Sequence, residues 1–177
     1  MTNAVLEAIR TRRMVRALTE APVARELVEQ ILEAARWAPS AGNRRLHHFV
    51  ALREPLTLRL LRMVSPGMLQ RPRAAILICI DGERARSFGM SPTAKGLYVD
   101  VGTAAQTMLL AAHSLGLGAG VVTSFSRAAV GAVLNLPVGF SPEMFVCLGH
   151  SAPQQPPAIR SRNPVSWQSL KHWERFP

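Results

Sequence analysis

The chain has only two cysteines and two lysines, and this scarcity limits what it can be. Cys79 and Cys147 lie in apolar runs typical of strands, which predicts buried free thiols in a reducing cytoplasm rather than a disulfide framework. Of the 21 basic residues, 19 are Arg, and only Lys95 and Lys171 are Lys. The formal net charge of +10 is compatible with nucleic acid, an anionic surface or a phosphate-bearing ligand, and it does not choose among them.

Segments with the composition of a membrane span or a signal peptide are also missing. The longest apolar stretch, residues 99–122, is interrupted by Asp100, Gln106 and His113. It therefore predicts a buried helix followed by a strand. Charged Glu7 and Arg10 lie where a signal peptide would have its apolar region. We therefore expect a cytoplasmic protein.

Several catalytic and metal-binding motifs are absent too. The chain has no Gly-x-Ser-x-Gly of a serine hydrolase, and no Walker loop or Gly-x-Gly-x-x-Gly turn follows a predicted strand. His47 and His48 would point to opposite faces of a strand, and Cys147-x-x-His150 lacks further ligands. We expect no metal site.

Length and apolar periodicity predict one domain, residues 1–177, of the α+β class. Apolar residues make up 48% of the chain, which is enough for a substantial core. Helical spacing predicts helices near residues 3–10, 55–63, 94–116 and 127–134, and a further helix with Pro22 in its first turn that ends before Pro39. Apolar runs predict strands at 48–52, 74–80, 119–123 and 144–148. This alternation indicates layers, with helices covering both faces of a central sheet.

Four segments carry side chains suited to holding a cofactor. Arg12-Arg13-x-x-Arg16 follows the first helix, and guanidinium groups bind phosphate bidentately. Alone, it also fits a solvated basic edge; a nucleic-acid arm is disfavoured because no aromatic residue lies among these arginines. The small, polar loop 39–43, the helix containing residues 100–118 and the basic tail segment 160–164 are each also compatible with an ordinary structural role.

The joint order of these segments resembles the nitroreductase family of FMN-dependent oxidoreductases. It runs Arg-Arg-x-x-Arg, Ala-Pro-Ser-x-x-Asn, Asp-x-Gly-x-Ala-x-Gln, Leu-Gly-Leu-Gly, Leu-x-Leu-Pro-x-Gly and Arg-x-Arg-x-Pro, and closes on His-Trp-Glu. The resemblance extends from about Val5 to Glu174. It implies a central mixed, mostly antiparallel sheet and a C-terminal tail that extends onto a partner subunit.

The resemblance also implies a homodimer with two FMN sites at its interface. NAD(P)H would deliver hydride to flavin N5, and an acceptor such as a nitroaromatic or quinone would follow over the same ring. Because the flavin carries this chemistry, no catalytic side chain is expected, and Gln106 would be structural support. The implied cofactor-binding residues of one subunit are Arg12, Arg13, Met14, Arg16, Thr123, Ser124, Arg160 and Arg162. The partner subunit's Pro39, Ser40, Ala41 and Asn43 would cover the same flavin.

The chain departs from the family pattern in two places. Met14 stands where a serine hydroxyl usually contacts the ribityl chain, and Arg44-Arg45-Leu46-His47 replaces the usual x-Gln-Pro-Trp near the flavin and the substrate entrance. Arg45 and His47 at this entrance motivate an alternative, a catalytically quiet flavin-binding or sequestering protein of the same fold. A basic nucleic-acid binder is a third hypothesis, and it predicts a colourless protein.

Overall fold

The computed structural model describes residues 3–155 and 165–175, and at its centre lies a four-stranded sheet. The strands are β1 (His47–Leu52), β2 (Ala74–Asp81), β3 (Gly118–Val122) and β4 (Phe140–Gly149). Their order is β1-β2-β4-β3, and every pair of neighbours in this sheet is antiparallel. The expected mostly antiparallel sheet is confirmed.

Helices cover both faces of this sheet, as the alternating sequence pattern predicts. The described helices are α1 (Ala4–Thr11), α2 (Arg25–Arg36), α3 (Pro55–Met63), α4 (Gly82–Ser87), α5 (Lys95–Ser114), α6 (Arg127–Val133) and α7 (Trp167–Leu170). Ile76, Ile78 and Ile80 of β2 share one core with α2 and α5. Leu77 and Cys79 point the other way, into a second core with α3 and α6. The α+β layered class is confirmed.

Both cysteines are free and fully buried, as their apolar surroundings predict. Cys79 lies in β2, Cys147 lies in β4, and neither is exposed to solvent. Burial raises the pKa of each thiol to about 12. Both thiols are therefore protonated at neutral pH, and they act as small apolar side chains in the core.

The expected start of the second helix is wrong. Pro22 does not lie in the first turn, because α2 begins at Arg25 and its N-cap residue is Ala24. The neighbouring Val23 is buried in the core, and its carbonyl oxygen accepts two hydrogen bonds from the Arg53 guanidinium, at 2.9 and 3.1 Å. These tertiary contacts fix Val23 ahead of the helix, and local helix-start signals do not report them.

The structure adds one helix and moves two boundaries relative to the sequence prediction. The short helix α4 was not predicted; it follows β2 directly, and Asp81 caps it by accepting a hydrogen bond from the Arg84 amide. Strand β4 begins at Phe140, four residues before the predicted start. Gly116 ends α5 with a φ of 75°, whereas Gly118 is already the first residue of β3.

Across residues 3–155 and 165–175, no helix is long and apolar enough to cross a membrane.

Strand β3 is rich in glycine because another segment of the chain lies directly against it. The amide of Val15 donates a 2.9 Å hydrogen bond to the carbonyl of Ala119. A Cβ atom on Gly118 would lie 2.6 Å from the Ser151 hydroxyl and 2.8 Å from a Val15 methyl group, and one on Gly120 would lie 3.0 Å from the Val15 carbonyl oxygen. The missing side chains therefore make room for the segment that follows α1.

We expect Gly118→Ala to destabilise the fold by about 1–3 kcal/mol, because the added methyl group overlaps atoms that cannot move independently. Urea unfolding followed by circular dichroism measures this loss. Gly131→Ala in α6 is the matched control, since a Cβ there meets nothing within 4 Å. It should raise the free energy of unfolding by about 0.5–1 kcal/mol. Equal effects of the two substitutions would contradict the close packing at Gly118.

Candidate functional site

The segment after α1 pairs with the segment that follows β4. Beyond Val15, the Thr19 amide donates to the His150 carbonyl (2.8 Å), and the Ala152 amide donates to the Ala17 carbonyl (3.0 Å). The Gln155 amide nitrogen donates to the Ala17 carbonyl at 2.7 Å, and its oxygen accepts from the Ala17 amide at 3.1 Å. The chain that follows β4 is therefore fixed beside the N-terminal arginine segment. Arg160 and Arg162 lie outside the described residues.

Arg12 has the geometry of an anion ligand. Its Nε and Nη1 atoms are buried, and they have no hydrogen-bond partner among the described residues. A buried guanidinium without acceptors is costly, so such atoms normally face a carboxylate, an anion or water. Arg12 lines a cavity of about 360 Å³ together with Thr11, Arg13, Val15, Leu109, His113, Gly116, Leu117, Ala119 and Ser151. A phosphate group supplies the oxygen acceptors that this guanidinium lacks.

Arg13 differs from its neighbour, although both belong to the same predicted cluster. Its Nη1 atom donates to the carbonyl oxygens of Arg10 (2.7 Å), Thr11 (3.2 Å) and Arg12 (3.1 Å) at the end of α1. Arg13 therefore satisfies carbonyl groups that the helix leaves unpaired at its C-terminus. Within the described residues it has a structural role that Arg12 does not have. Met14 and Arg16 are exposed beside these arginines.

The loop 39–43 is held by the N-terminal half of α5. The buried carboxylate of Asp100 accepts the Ala41 amide at 3.0 and 3.2 Å, and the Thr103 hydroxyl donates to the Pro39 carbonyl at 2.9 Å. The Ser40 hydroxyl accepts from the Arg45 amide at 3.2 Å. Asn43 has a φ of 53°, a left-handed conformation that asparagine tolerates. The sequence motif included Asp100, but its contact with the loop was not predicted.

Thr123 and Ser124 directly follow β3, at the opposite end of the strand from the Val15 contact. Both are exposed, and the Ser124 carbonyl accepts a 3.0 Å hydrogen bond from the Gly67 amide. A Cβ atom on Gly67 would lie 2.8 Å from the Ser124 Cβ atom, so this turn also depends on a glycine. Ala119 and Thr123 are four residues apart, which places this loop about 13 Å along the strand from Val15.

The loop 39–43 does not line the cavity at Arg12 in one chain. The cavity contacts α5 at Leu109 and His113, whereas the loop contacts α5 at Asp100 and Thr103. These contacts are six to thirteen residues apart, or about 9–20 Å along the helix. Within one subunit, the loop therefore lies on a different part of α5 from the arginine segment.

His47 lies at the start of β1, and its environment disfavours a charged ring. The ring packs on Phe49 with centroids 5.1 Å apart, whereas His48 packs on Phe140. The two histidines thus occupy opposite faces of β1, as the strand pattern predicts. Burial lowers the pKa of His47, the Asp100 carboxylate partly offsets this effect, and His48 and Arg45 lower the pKa further.

Comparison with known proteins identifies the class to which this fold and site belong. The model of the nitroreductase family matches residues 9–79 and 69–150. The chain belongs to the nitroreductase family.

Relatives and solved structures are similar over most of this chain. The FMN reductase [NAD(P)H] of Bacillus subtilis is 29% identical over an alignment 192 residues long, gaps included. This alignment covers 98% of this chain and 75% of that protein. A provisionally named nitroreductase of Desulfovibrio desulfuricans, solved in complex with FMN, is 31% identical, covers 100% of both chains and superimposes with a TM-score of 0.80. The nitroreductase A structure of Vibrio parahaemolyticus, at 24% identity and a TM-score of 0.82, shows the same fold; the alignment covers 100% of this chain and 78% of that one.

A further relative matches over a shorter span. It is a protein of Methanothermobacter thermautotrophicus with the provisional name NADH dehydrogenase/NAD(P)H nitroreductase. The two chains are 40% identical over 118 residues, which make up 65% of this chain. The match spans 58% of that protein's length, and 63% of the length of an Archaeoglobus fulgidus relative with the same name.

We expect Asp100→Ala to loosen the loop 39–43, because the Ala41 amide loses both acceptor oxygens. The free energy of unfolding should fall by about 1–3 kcal/mol. Hydrogen exchange of the Ala41 amide, followed by NMR, should accelerate. Asp100→Asn keeps one side-chain oxygen as an acceptor, and it should lie between wild type and Asp100→Ala. Unchanged exchange at Ala41 in the alanine variant would show that another group holds the loop.

The lowered pKa of His47 predicts a pH-dependent stability. The unfolded chain, with an ordinary histidine pKa of about 6.5, binds more protons than the folded chain at pH values between the two pKa values. This contribution to stability is therefore fully present above about pH 6.5 and is lost as the pH falls towards the folded-state pKa. His47→Gln should reduce the difference between urea unfolding curves at about pH 7.5 and about pH 5.5. An unchanged difference would assign the effect to other groups.

Proposed function

We propose that the protein is an FMN-dependent NAD(P)H oxidoreductase. The observation that supports this most directly is the half-buried side chain of Arg12, whose buried Nε and Nη1 atoms lack acceptors within the described chain. The phosphate of FMN carries about two negative charges and offers the oxygens that Arg12 needs. The family membership and the FMN-containing neighbour support the same cofactor.

Different residues of the site would contact different parts of FMN. Arg12 would hold the phosphate, and Arg160 and Arg162 would complete the clamp, since Gln155 anchors the preceding chain beside Arg16 and Ala17. Arg13, Met14 and Arg16 would follow the ribityl chain and the pyrimidine edge. A guanidinium at that edge stabilises the negative charge that reduction creates near N1 and O2. Thr123 and Ser124 would border the reactive edge.

A second copy of the chain would complete each site. The loop 39–43 contacts α5 about 9–20 Å from the Arg12 cavity in one subunit and does not line that cavity, so the partner subunit's Pro39, Ser40, Ala41 and Asn43 would cover the flavin. Exposed apolar side chains support this homodimer. Helix α1 buries none of its residues, and its Val5, Leu6 and Ile9 are at least half exposed. Val99, on α5, is 62% exposed. A dimer interface would bury these side chains.

When bound, FMN supplies the redox chemistry: it accepts hydride from NAD(P)H at N5 and reduces an acceptor such as a nitroaromatic or quinone. The chain would contribute binding, orientation and the exclusion of water, and no side chain is proposed as an acid or base. In the reducing cytoplasm proposed as its location, Cys79 and Cys147 would remain thiols.

Residues near the presumed substrate entrance favour one alternative. Arg45 is exposed with a φ of 50°, and the buried Nδ1 atom of His47 has no partner among the described residues. These two residues replace the usual family glutamine and tryptophan. A flavin-binding protein without turnover would keep the Arg12 cavity and lack a productive entrance for NAD(P)H.

Spectroscopy tests the function directly. The purified protein should show flavin absorbance bands, and a colourless protein that FMN cannot reconstitute would contradict the proposal. Anaerobic stopped-flow mixing with NADH and with NADPH should bleach these bands with at least one donor. A coloured protein that neither donor bleaches would favour the quiet flavin-binding alternative. A native mass of one chain would contradict the interface site.

We expect Arg12→Ala to weaken FMN binding by about tenfold to a hundredfold, because a charge-assisted hydrogen-bonding group is lost from the phosphate site. Arg10→Ala is the matched control: it removes the same charge two residues away, from an exposed position that does not line the cavity. Its effect on FMN affinity should be clearly smaller. Fluorescence titration of FMN into apoprotein measures both. Equal losses would mean that net charge, rather than the Arg12 geometry, retains the cofactor.

A further inference from the structure

A second cavity, of about 490 Å³, lies against α3 and is lined by many arginines. It shares no lining residue with the cavity at Arg12, which lies against α5. Its volume falls in the range of small-ligand sites, about 300–1,000 Å³. Its five arginines are Arg53, Arg59, Arg62, Arg71 and Arg73.

Two of these arginines, Arg53 and Arg73, are held by contacts with other residues of the protein. Arg53 is held by its hydrogen bonds to the Val23 carbonyl. Arg73 forms an ion pair with the exposed Glu20, and its buried Nε atom has no hydrogen-bond partner within the described chain. Glu20 is the only carboxylate among the described residues that line the cavity.

The guanidinium groups of the other three arginines, Arg59, Arg62 and Arg71, have no hydrogen-bond or ion-pair partner among residues 3–155 and 165–175. Arg59 and Arg62 are three residues apart on α3, so they lie on the same side of the helix and repel each other. Glu54, the acidic residue nearest to them in sequence, caps α3 by accepting the amides of Leu56 and Thr57 and forms no ion pair with either arginine. A concave surface with this uncompensated charge concentrates anions.

We propose that this cavity binds a phosphorylated small molecule of nucleotide size, with at least two negative charges. The planar guanidinium fork matches phosphate oxygens, and several forks around one cavity favour a multiply charged group over a single carboxylate. Pro55, Leu58 and Pro72 provide an apolar part of the lining for the organic portion of such a ligand. The site is separate from the flavin site, and it does not depend on the proposed redox function.

Isothermal titration of pyrophosphate and of adenosine diphosphate into the FMN-saturated protein tests this site. Saturable binding of one anion per chain is expected, with adenosine as a negative control. The double variant Arg59→Gln/Arg62→Gln should weaken binding by at least about tenfold. The matched control is Arg84→Gln/Arg86→Gln in α4, which removes the same charge from exposed positions outside the cavity. Unchanged flavin absorbance in both variants would show that the fold and the flavin site are intact.

Three results would overturn the proposal. One is the absence of measurable binding by either phosphate compound. Another is an equal loss of affinity in the two double variants, since this would indicate only long-range attraction by net charge. The third is binding of a larger ligand instead. Leu60 and Met63 are exposed beside these arginines, so the cavity could belong to a wider contact surface. If phosphatidylglycerol vesicles or a DNA duplex bind through Arg59 and Arg62 and pyrophosphate does not compete, the cavity is part of a surface for a macromolecule or a membrane.

Discussion

The length of α5 determines how the candidate flavin site is built. Its N-terminal half holds the loop 39–43 through Asp100 and Thr103, and its C-terminal half forms a wall of the Arg12 cavity. Within one chain these contacts lie about 9–20 Å apart along a rigid helix, and the loop does not line the cavity. In the proposed site, pairing of two copies of the chain would bring the two sets of residues together. The exposed apolar residues of α1 and α5 provide a surface on which those copies would meet.

The glycines of β3 decide where the N-terminal arginines lie. An ordinary side chain at Gly118 or Gly120 would occupy the space that Val15 fills, and the segment after α1 could not lie along the sheet. The same segment pairs through Leu18 with Ser151 and is anchored by Gln155. Backbone contacts thus bring residues from opposite ends of the sequence together, before any cofactor contributes. The arginine side chains are carried into position by this backbone arrangement.

Apolar runs and helical spacing in the sequence were sufficient to predict the layers. Strand β2 is one continuous buried run, and α3 places its buried Leu58 and Leu61 on one face at helical spacing. What could not be predicted depends on contacts between distant residues. Pro22 has the local pattern of a helix start, but Val23 is held by Arg53 instead. Arg12 and Arg13 are equivalent in sequence, yet only Arg13 satisfies the carbonyl groups at the end of α1.

The excess of arginine leaves positive charge unpaired, because several of the few carboxylates stabilise helices, a loop or the core. Glu54 and Asp81 cap helices, Asp100 holds a loop, and Glu143 is buried against Arg127 and Ser141. Exposed pairs such as Arg36 with Glu33 contribute little to stability, but they neutralise charge locally. Some of the guanidinium groups left without a carboxylate lie at concave surfaces, one at Arg12 and one at Arg59 and Arg62. The shortage of acidic partners would favour phosphate at both.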